Sequence, residues 1–437
     1  MKAKLKVAII GGGWAGLAAA LELCAAGNQV TVFEAARQLG GRARRIEAGG
    51  HTLDNGQHIL IGAYRETLRL MQLAGADPER QLKRLPLELN YPAHGFHLRL
   101  PKLPAPLHLA CGLLSAKGCS PGEKIAAARF MQHLKRADYQ LAADCTLSEL
   151  LDRHGQHGAL RHYLWEPLCV AALNTVAATA SAQIFANVLR DSLGGSRADT
   201  DLLLPADDLG ALFPDAAARF ILAHGGEIHL STRIDDIPAD LVFGGKRFTH
   251  AILATAPQHA VALLAARPAT ADIAQQLAGY RYEPIGTLYA AYPPELELPC
   301  PMLGLNGGSG DPTGRLGQWV FDRGALLGTR GLMAFVLSAS GNWETHDAAT
   351  LMNRLHAELE ETLARPLPPP HWHQLIRERR ATFACHPKLP RPAPKTPQRG
   401  LWLAGDYVCA DYPATLEGAI RSGIQAARGV LMATKDD

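Results

Sequence analysis

The tightest constraint on the fold lies near the start of the chain, where Lys6 to Glu34 reads in unbroken order as strand, glycine loop, helix and second strand. Lys6-Val7-Ala8-Ile9-Ile10 is a short apolar run with β-branched residues, the pattern of a central parallel strand buried on both faces. Gly11, Gly13 and Gly16 follow at GxGxxG spacing. The first allows the tight turn, the second lets the backbone approach a pyrophosphate, and the third lets the helix pack closely on the strand. Trp14 and Ala15, between the last two glycines, join the candidate cofactor contacts. From Gly16 to Ala26 the chain is rich in Ala and Leu, and Gly27 stands where a helix would stop. Val30-Thr31-Val32-Phe33 is the next strand. It ends in Glu34, 18 positions past Gly16, where an acid accepts the ribose hydroxyls of an adenine dinucleotide and repels a 2′-phosphate. A lone GxGxxG is also an ordinary turn. The ordered strand, helix, strand and acid point instead to an α/β, Rossmann-like nucleotide-binding domain.

A chain of 437 residues, 47% hydrophobic and 19% charged, is long enough for a large core and two domains. Its net charge of +3 comes without basic runs interleaved with aromatics, which argues against nucleic acid as a partner. Eight cysteines form no CxxC or other metal spacing, so no metal site is expected and reduced thiols in a cytoplasmic setting fit the pattern. Lys2, Lys4 and Lys6 before an apolar stretch imitate a secretory signal. Cleavage there would remove the glycine loop and Glu22 interrupts the apolar run, so neither a signal nor a spanning helix is expected. No later segment reaches the ~20 apolar residues of a membrane span.

Further along, Tyr64 to Ala74 has helical spacing and Pro86 to Pro106 reads as strands and turns. Pro104 to Gly118 carries Leu107, Leu109, Ala110, Leu113 and Leu114 with no charge from Ala105 to Ala116, and Lys102 and Lys117 flank it. It is a buried helix or an interfacial one with its lysines at the headgroups, giving peripheral contact with a membrane's inner face. Lys124 to Leu141 reads as an amphipathic helix and Thr146-Leu147-Ser148-Glu149 as a capped helix start. Tyr163 to Thr175 is apolar and aromatic, the composition of a greasy pocket wall or of plain packing. A helix from Pro214 to His224 and a strand from Glu227 to Ile234 precede another strand, Phe248 to Ala254, closed by Thr255-Ala256-Pro257. From Tyr280 to Ser338, β-rich runs separated by turns such as Asn306-Gly307-Gly308 suit an antiparallel sheet flooring a substrate cavity. Pro366 to Pro370 and Pro387 to Pro397 read as connectors. Leu401 to Asp406 is strand then turn, and a helix opens after Tyr412 and runs to about Met432.

Glu34 to Arg42 resembles the signature that continues the fingerprint in FAD enzymes of the amine oxidase and phytoene desaturase superfamily. The resemblance implies FAD as cofactor, with Ala35 near it, Gly40 and Gly41 giving N–H groups to phosphate, and Arg42 a planar cation beside them. It implies that Gly56 lets backbone approach the flavin ring, with Gln57 and His58 reaching N5 or substrate. Arg233 and Ile234 would meet adenine, and Thr255 would lie beside the cofactor. Gly405-Asp406 would bind the ribityl chain, and Ala414-Thr415-Leu416 would aim the last helix's start at flavin N1 and C2. The domains implied are a discontinuous FAD-binding domain (1–65, 195–258 and 395–437) and an interleaved α+β substrate domain (66–194 and 259–394).

Asp54 to His58, Trp165 to Thr175, Arg380 to Cys385 and Ala404 to Ala419 together look like the hydroxysqualene dehydroxylase family of bacterial hopanoid synthesis. That likeness implies an apolar C30 isoprenoid substrate whose allylic hydroxyl is replaced by hydrogen, with electrons from an external donor because no NAD(P)H motif stands in the chain. Hydroxide leaves poorly, so a general acid is required. His58, Asp54, Tyr412 and Asp411, adjacent to the flavin motifs, are the candidates. A polyene desaturase and an amine oxidase with flavin on Cys385 or Cys409 are the enzymatic rivals; a lipid-binding flavoprotein without turnover is the other.

Overall fold

The computed structural model describes residues 4–305 and 314–436, so the expected turn at Asn306-Gly307-Gly308 lies outside the described residues. Two five-stranded sheets organise it. Their strands, in chain order, are β1 (Lys6–Ile10), β2 (Gln29–Phe33), β3 (Glu227–His229), β4 (His250–Leu253), β5 (Tyr282–Ala291), β6 (Met302–Gly304), β7 (Trp319–Asp322), β8 (Leu332–Ser338), β9 (Trp372–Phe383) and β10 (Leu401–Leu403). The helices that matter below are α1 (Trp14–Ala25), α2 (Leu107–Ser115), α3 (Pro121–Arg136), α4 (Ala182–Leu193) and α5 (Leu416–Asp436).

The first sheet runs β3-β2-β1-β4-β10 and is parallel throughout. Parallel strands covered on both faces need apolar side chains in both directions, and Val7, Ala8, Ile9 and Ile10 are all buried. Helix α1 lies against α5, whose Gly423 sits so close that an added Cβ would fall 2.1 Å from the Ala15 carbonyl oxygen. The N-terminal glycine loop and the C-terminal helix are thereby joined.

The second sheet runs β6-β7-β8-β5-β9 and is antiparallel, as the spacing of its apolar runs suggested. Alternation divides its faces: Leu288 and Ala290 join the core shared with Leu351, Leu355 and Leu359, while Tyr289 and Ala291 face the central core. Asp54's main-chain oxygen accepts a hydrogen bond from the Tyr289 hydroxyl at 3.1 Å, which ties the 54–58 segment to the second sheet.

Two expectations change, and one left open between pocket wall and packing is narrowed. The strand foreseen from Glu227 to Ile234 stops at His229, because Ser231 takes a positive φ of 52° and the chain turns back, Ser231 and Thr232 donating to the Ala36 and Glu34 carbonyls. The helix foreseen to Leu141 ends at Arg136, before Asp138 and Tyr139 with φ of 49° and 57°. The Tyr163 to Thr175 segment is packing: Trp165, Cys169 and Leu173 are buried in the core, and the Trp165 indole donates to Gln156 Oε1 at 2.9 Å.

Candidate active site

The glycine loop leaves β1 and enters α1. Gly11 has φ of 110°, and a Cβ there would lie 2.7 Å from the Ala254 carbonyl oxygen at the end of β4. At Gly16 a Cβ would lie 2.0 Å from the Gly11 oxygen, so both positions are closed to any side chain. Gly13 differs: a Cβ would meet nothing nearer than Gly41 Cα at 3.9 Å, and the α1 N-terminus it opens has no side-chain cap. Uncapped N–H groups beside open space are what a pyrophosphate requires. The Gly40 amide donates to the Gly12 carbonyl at 2.9 Å, which brings the second glycine pair onto the loop.

Glu34 ends β2 as expected. Its Oε2 accepts from the Gly12 amide at 2.6 Å and its Oε1 from the Ala36 amide at 2.7 Å. A carboxylate offers about four acceptor sites, so lone pairs remain for ribose hydroxyls. The turn after β3 runs alongside, which brings Arg233 and Ile234 to the same edge. Thr255 follows β4, with its hydroxyl buried and without a hydrogen-bond partner.

Several expected cofactor contacts have other employment. Trp14 is buried, packs on Phe213 with ring centroids 5.0 Å apart and donates to the Ala43 carbonyl at 3.0 Å, so its side chain belongs to the core. Ala15 is likewise buried, and both offer only main chain to a ligand. Arg42 does not point a free cation at phosphate. It donates to Asp406 Oδ2 at 2.6 Å and to the Ala381 carbonyl at 2.5 Å. The two motifs foreseen at opposite ends of the cofactor are thus joined by an ion pair, with one Asp406 oxygen spent on it. Gly405, with φ of 151°, donates its amide to Ser422 Oγ at 2.8 Å. Thr415 caps α5, its hydroxyl oxygen accepting from the Gly418 amide at 3.1 Å, with Ala414 and Leu416 on either side.

The ring-side element, residues 54–58, holds the sharpest chemistry. Asp54 is buried; its Oδ1 accepts from the Leu209 amide at 2.8 Å and its Oδ2 from Arg323 Nη1 at 3.1 Å. Arg323, also buried, donates to Gln57 Oε1 at 2.9 Å and stands over the Tyr289 ring. Burial pushes the Asp54 carboxyl up, against the pull of Arg323, the Leu209 N–H and His58. Gly56, with φ of 112°, leaves open space: a Cβ would meet only Thr287 Oγ1 at 3.7 Å and His58 Cε1 at 4.0 Å. His58 Nδ1 lies 2.8 Å from the Gly56 carbonyl. A carbonyl only accepts, so Nδ1 carries the proton and Nε2 is the free atom. Burial lowers this imidazole's pKa, with Arg42 adding to the effect and Gly56 and Asp54 opposing it.

This geometry sorts the four acid candidates. Asp54 is buried, and each of its oxygens accepts a hydrogen bond from within the protein. The Gln57 side chain expected at N5 or substrate is likewise held, by Arg323. Tyr412 donates its hydroxyl to Asp191 at 2.8 Å while the Arg421 guanidinium covers its ring at 4.2 Å. Asp411 is exposed, and its carbonyl serves as acceptor for Asn187. Of the three candidates inside the protein, His58 keeps a titratable atom without a hydrogen-bond partner, Nε2, whereas the Asp411 carboxylate stands exposed at the surface. Reasoning from sequence missed Arg323; an arginine directly after the apolar strand β7 was the available signal. It also missed Tyr407, whose buried hydroxyl beside Asp406 has no partner. Cys385 and Cys409, raised as flavin attachment points, are buried thiols; burial pushes Cys385 up to about 11, which makes it a poor nucleophile.

Residues 14–431 match the family of flavin-containing amine oxidoreductases. The hydroxysqualene dehydroxylase of Rhodopseudomonas palustris is 29% identical over 444 residues, covering 98% of this chain and 98% of its own. That of Zymomonas mobilis is 27% identical, covering 96% and 97%. Among solved structures, an oxidoreductase from Methanosarcina mazei superposes with a TM-score of 0.71 at 16% identity, over 97% of this chain and all of its own.

Proposed function

Because the chain belongs to the flavin-containing amine oxidoreductase family and is an FAD-dependent oxidoreductase, we propose that it reduces hydroxysqualene to squalene in squalene and hopanoid synthesis. The single observation behind this reading is end-to-end similarity to hydroxysqualene dehydroxylases, which extends through the substrate-side half and not only the shared nucleotide motifs. The residues fit FAD: Gly13 and Gly56 open where its backbone contacts belong, Glu34 retains lone pairs for ribose, and Asp406 keeps one carboxylate oxygen for the ribityl chain. FAD, when bound and reduced, supplies the hydride that takes the hydroxyl's place.

The chain's own part is to hold the substrate and manage a proton. His58, fixed by the Gly56 carbonyl, can carry a second proton only on Nε2, so its imidazolium donates in one direction. Its lowered pKa makes that imidazolium a stronger acid than an ordinary histidine, suited to a poor leaving group. Paired charges nearby, Asp54 with Arg323 and Arg42 with Asp406, leave little net field against a developing allylic cation. Electrons come from an external donor. The test is anaerobic: reduce the bound flavin, add hydroxysqualene, and follow the visible flavin band and squalene by mass spectrometry. Reoxidation with stoichiometric squalene is expected. An intact FAD-loaded protein that stays reduced would remove the assignment.

A further inference from the structure

Helix α2 presents an apolar face outward. Leu107, Ala110 and Leu114, at i, i+3 and i+7, are exposed, while His108 and Gly112 on the opposite side are buried. Leu114 is 71% exposed and Leu107 55%; Leu103 and Ile125 continue the patch. Of the seven large apolar side chains exposed among the described residues, these four fall within 23 consecutive positions, 103 to 125. Scattered exposed leucines mean little, whereas a contiguous cluster marks a contact surface. The charge flanking α2 and along α3 is predominantly positive. No acid occurs from Leu89 to Gly122, Lys102 and Lys117 are exposed on either side of α2, and α3 carries Lys124, Arg129, Lys135 and Arg136 against a single Glu123 that caps its own helix.

A groove of about 760 Å³ opens between α2 and α3; its lining includes His108, Leu109, Ile125 and Leu193 together with the cationic Arg129 and Lys135 of α3. His108 is fully buried there, with the Pro104 carbonyl beside its ring but neither ring nitrogen in a well-aligned hydrogen bond. A buried polar group without a partner is costly, and an occupant that is apolar but for one hydroxyl would supply the partner. Leu193 ends α4, the helix whose Asp191 and Asn187 bind the Tyr412 hydroxyl and the Asp411 carbonyl in front of α5. One helix therefore walls the groove and braces the turn that leads into the α5 start.

We propose that this face docks on an anionic lipid bilayer and that the groove admits the polyprenyl substrate directly from it. The proposal rests on the reading that the substrate is an apolar isoprenoid. A water-borne route would expose the whole chain of such a molecule, whereas a bilayer already holds it. The apolar stripe would sit at the acyl boundary with the lysines at the headgroups.

The full FAD-loaded chain is mixed with sucrose-loaded vesicles of phosphatidylcholine and phosphatidylglycerol, or of phosphatidylcholine alone, and sedimented. Expected is stronger binding to the anionic vesicles that weakens with salt. The Leu107→Ser/Leu114→Ser variant should lose about tenfold or more of its partitioning, and Lys102→Glu/Lys117→Glu should lose the anionic preference. A Leu222→Ser/Met432→Ser control removes exposed apolar groups elsewhere and should change nothing. Flavin absorbance verifies folding in each case. Undiminished vesicle binding by the Leu107→Ser/Leu114→Ser variant overturns the proposal. So does a solution mass by light scattering that is twice the chain's in the wild type and falls to one chain in that variant, since the face would then cover a second copy. Turnover is compared with hydroxysqualene in vesicles and in detergent; the leucine variant should lose only the former. Absence of turnover in both for the wild type would refute the functional assignment and leave the vesicle result to decide the docking surface independently.

Discussion

Arg323→Met isolates the most expensive interaction in the site. Arg323 and Asp54 are each 1% exposed and meet at 3.1 Å. At an effective dielectric near 20, unit charges about 4 Å apart attract by about 4 kcal/mol, while burial of each ion costs several. The pair as a whole is near balance, but removing one partner leaves a carboxylate buried with only the Leu209 amide, a loss of about 3–5 kcal/mol. A chain of 437 residues unfolds with an entropy of roughly 0.9 kcal/mol/K, so Tm should fall by about 3–5 °C at saturating FAD, which keeps the ligand contribution fixed. The pH dependence supplies an internal control. With Arg323 gone, nothing comparable opposes the burial that already raises the Asp54 pKa. A carboxyl held above its unfolded value gains its proton first in the folded state, so the deficit should be smallest in acid and grow as pH rises through the folded-state value. Asp54→Asn in the same chain removes the orphaned charge and should recover most of the loss. A drop under about 1 °C, or a double variant whose losses simply add, would refute the argument that this is a desolvated ion pair.

Four further outcomes follow from the geometry. Gly13→Ala should fold, by circular dichroism, yet purify without the flavin band, whereas Gly16→Ala should fail to fold, because only the latter drives a Cβ to 2.0 Å from backbone oxygen. Arg42→Met should weaken FAD retention on desalting by roughly tenfold, the equivalent of about one charge-assisted hydrogen bond, through the release of Asp406 and the 381 segment. Turnover should rise as pH falls toward the lowered pKa of His58, and His58→Gln should flatten that profile while costing roughly 10²–10⁴ in kcat; an unchanged profile would exclude His58 as the acid. Tyr412→Phe should keep most of its kcat and lose only about 1 kcal/mol of stability, since its hydroxyl is committed to Asp191.

What was legible in the sequence was what local sterics enforce. Gly16 is glycine because a Cβ would strike the Gly11 carbonyl within the same βαβ unit, so the nucleotide loop could be read over a few positions, although the clash that keeps Gly11 bare comes from the distant Ala254 carbonyl. The antiparallel sheet was legible where strands alternate cleanly, as in Thr287 to Tyr289. Strand β9 was missed because Arg377, Glu378, Arg379 and Arg380 interrupt the alternation; it is the sheet's edge, half exposed, where such residues are tolerated. The charge pairs were not legible at all. Asp54 and Arg323 are separated by 269 positions and Arg42 and Asp406 by 364, and no local pattern announces either partner. Proximity to a flavin motif made Asp54 look like a free acid, whereas its burial requires a counter-charge.

Those hidden pairs also bear on what the site can accept. Asp54 is matched by Arg323, Asp406 by Arg42, and Asp191 by Arg421, while Tyr412 adds its hydroxyl to the last of these. An amine substrate arrives as a cation and gains from an unpaired carboxylate; each of these three carboxylates already has an arginine. A hydrocarbon chain with a single hydroxyl needs neither charge, only apolar walls and one proton donor. His58 Nε2 is the titratable atom that the ring-side element leaves free, and its neutral resting form costs little to bury beside such a chain. The pairing of these three carboxylates within the protein thus suits the apolar substrate proposed above, which calls on none of them.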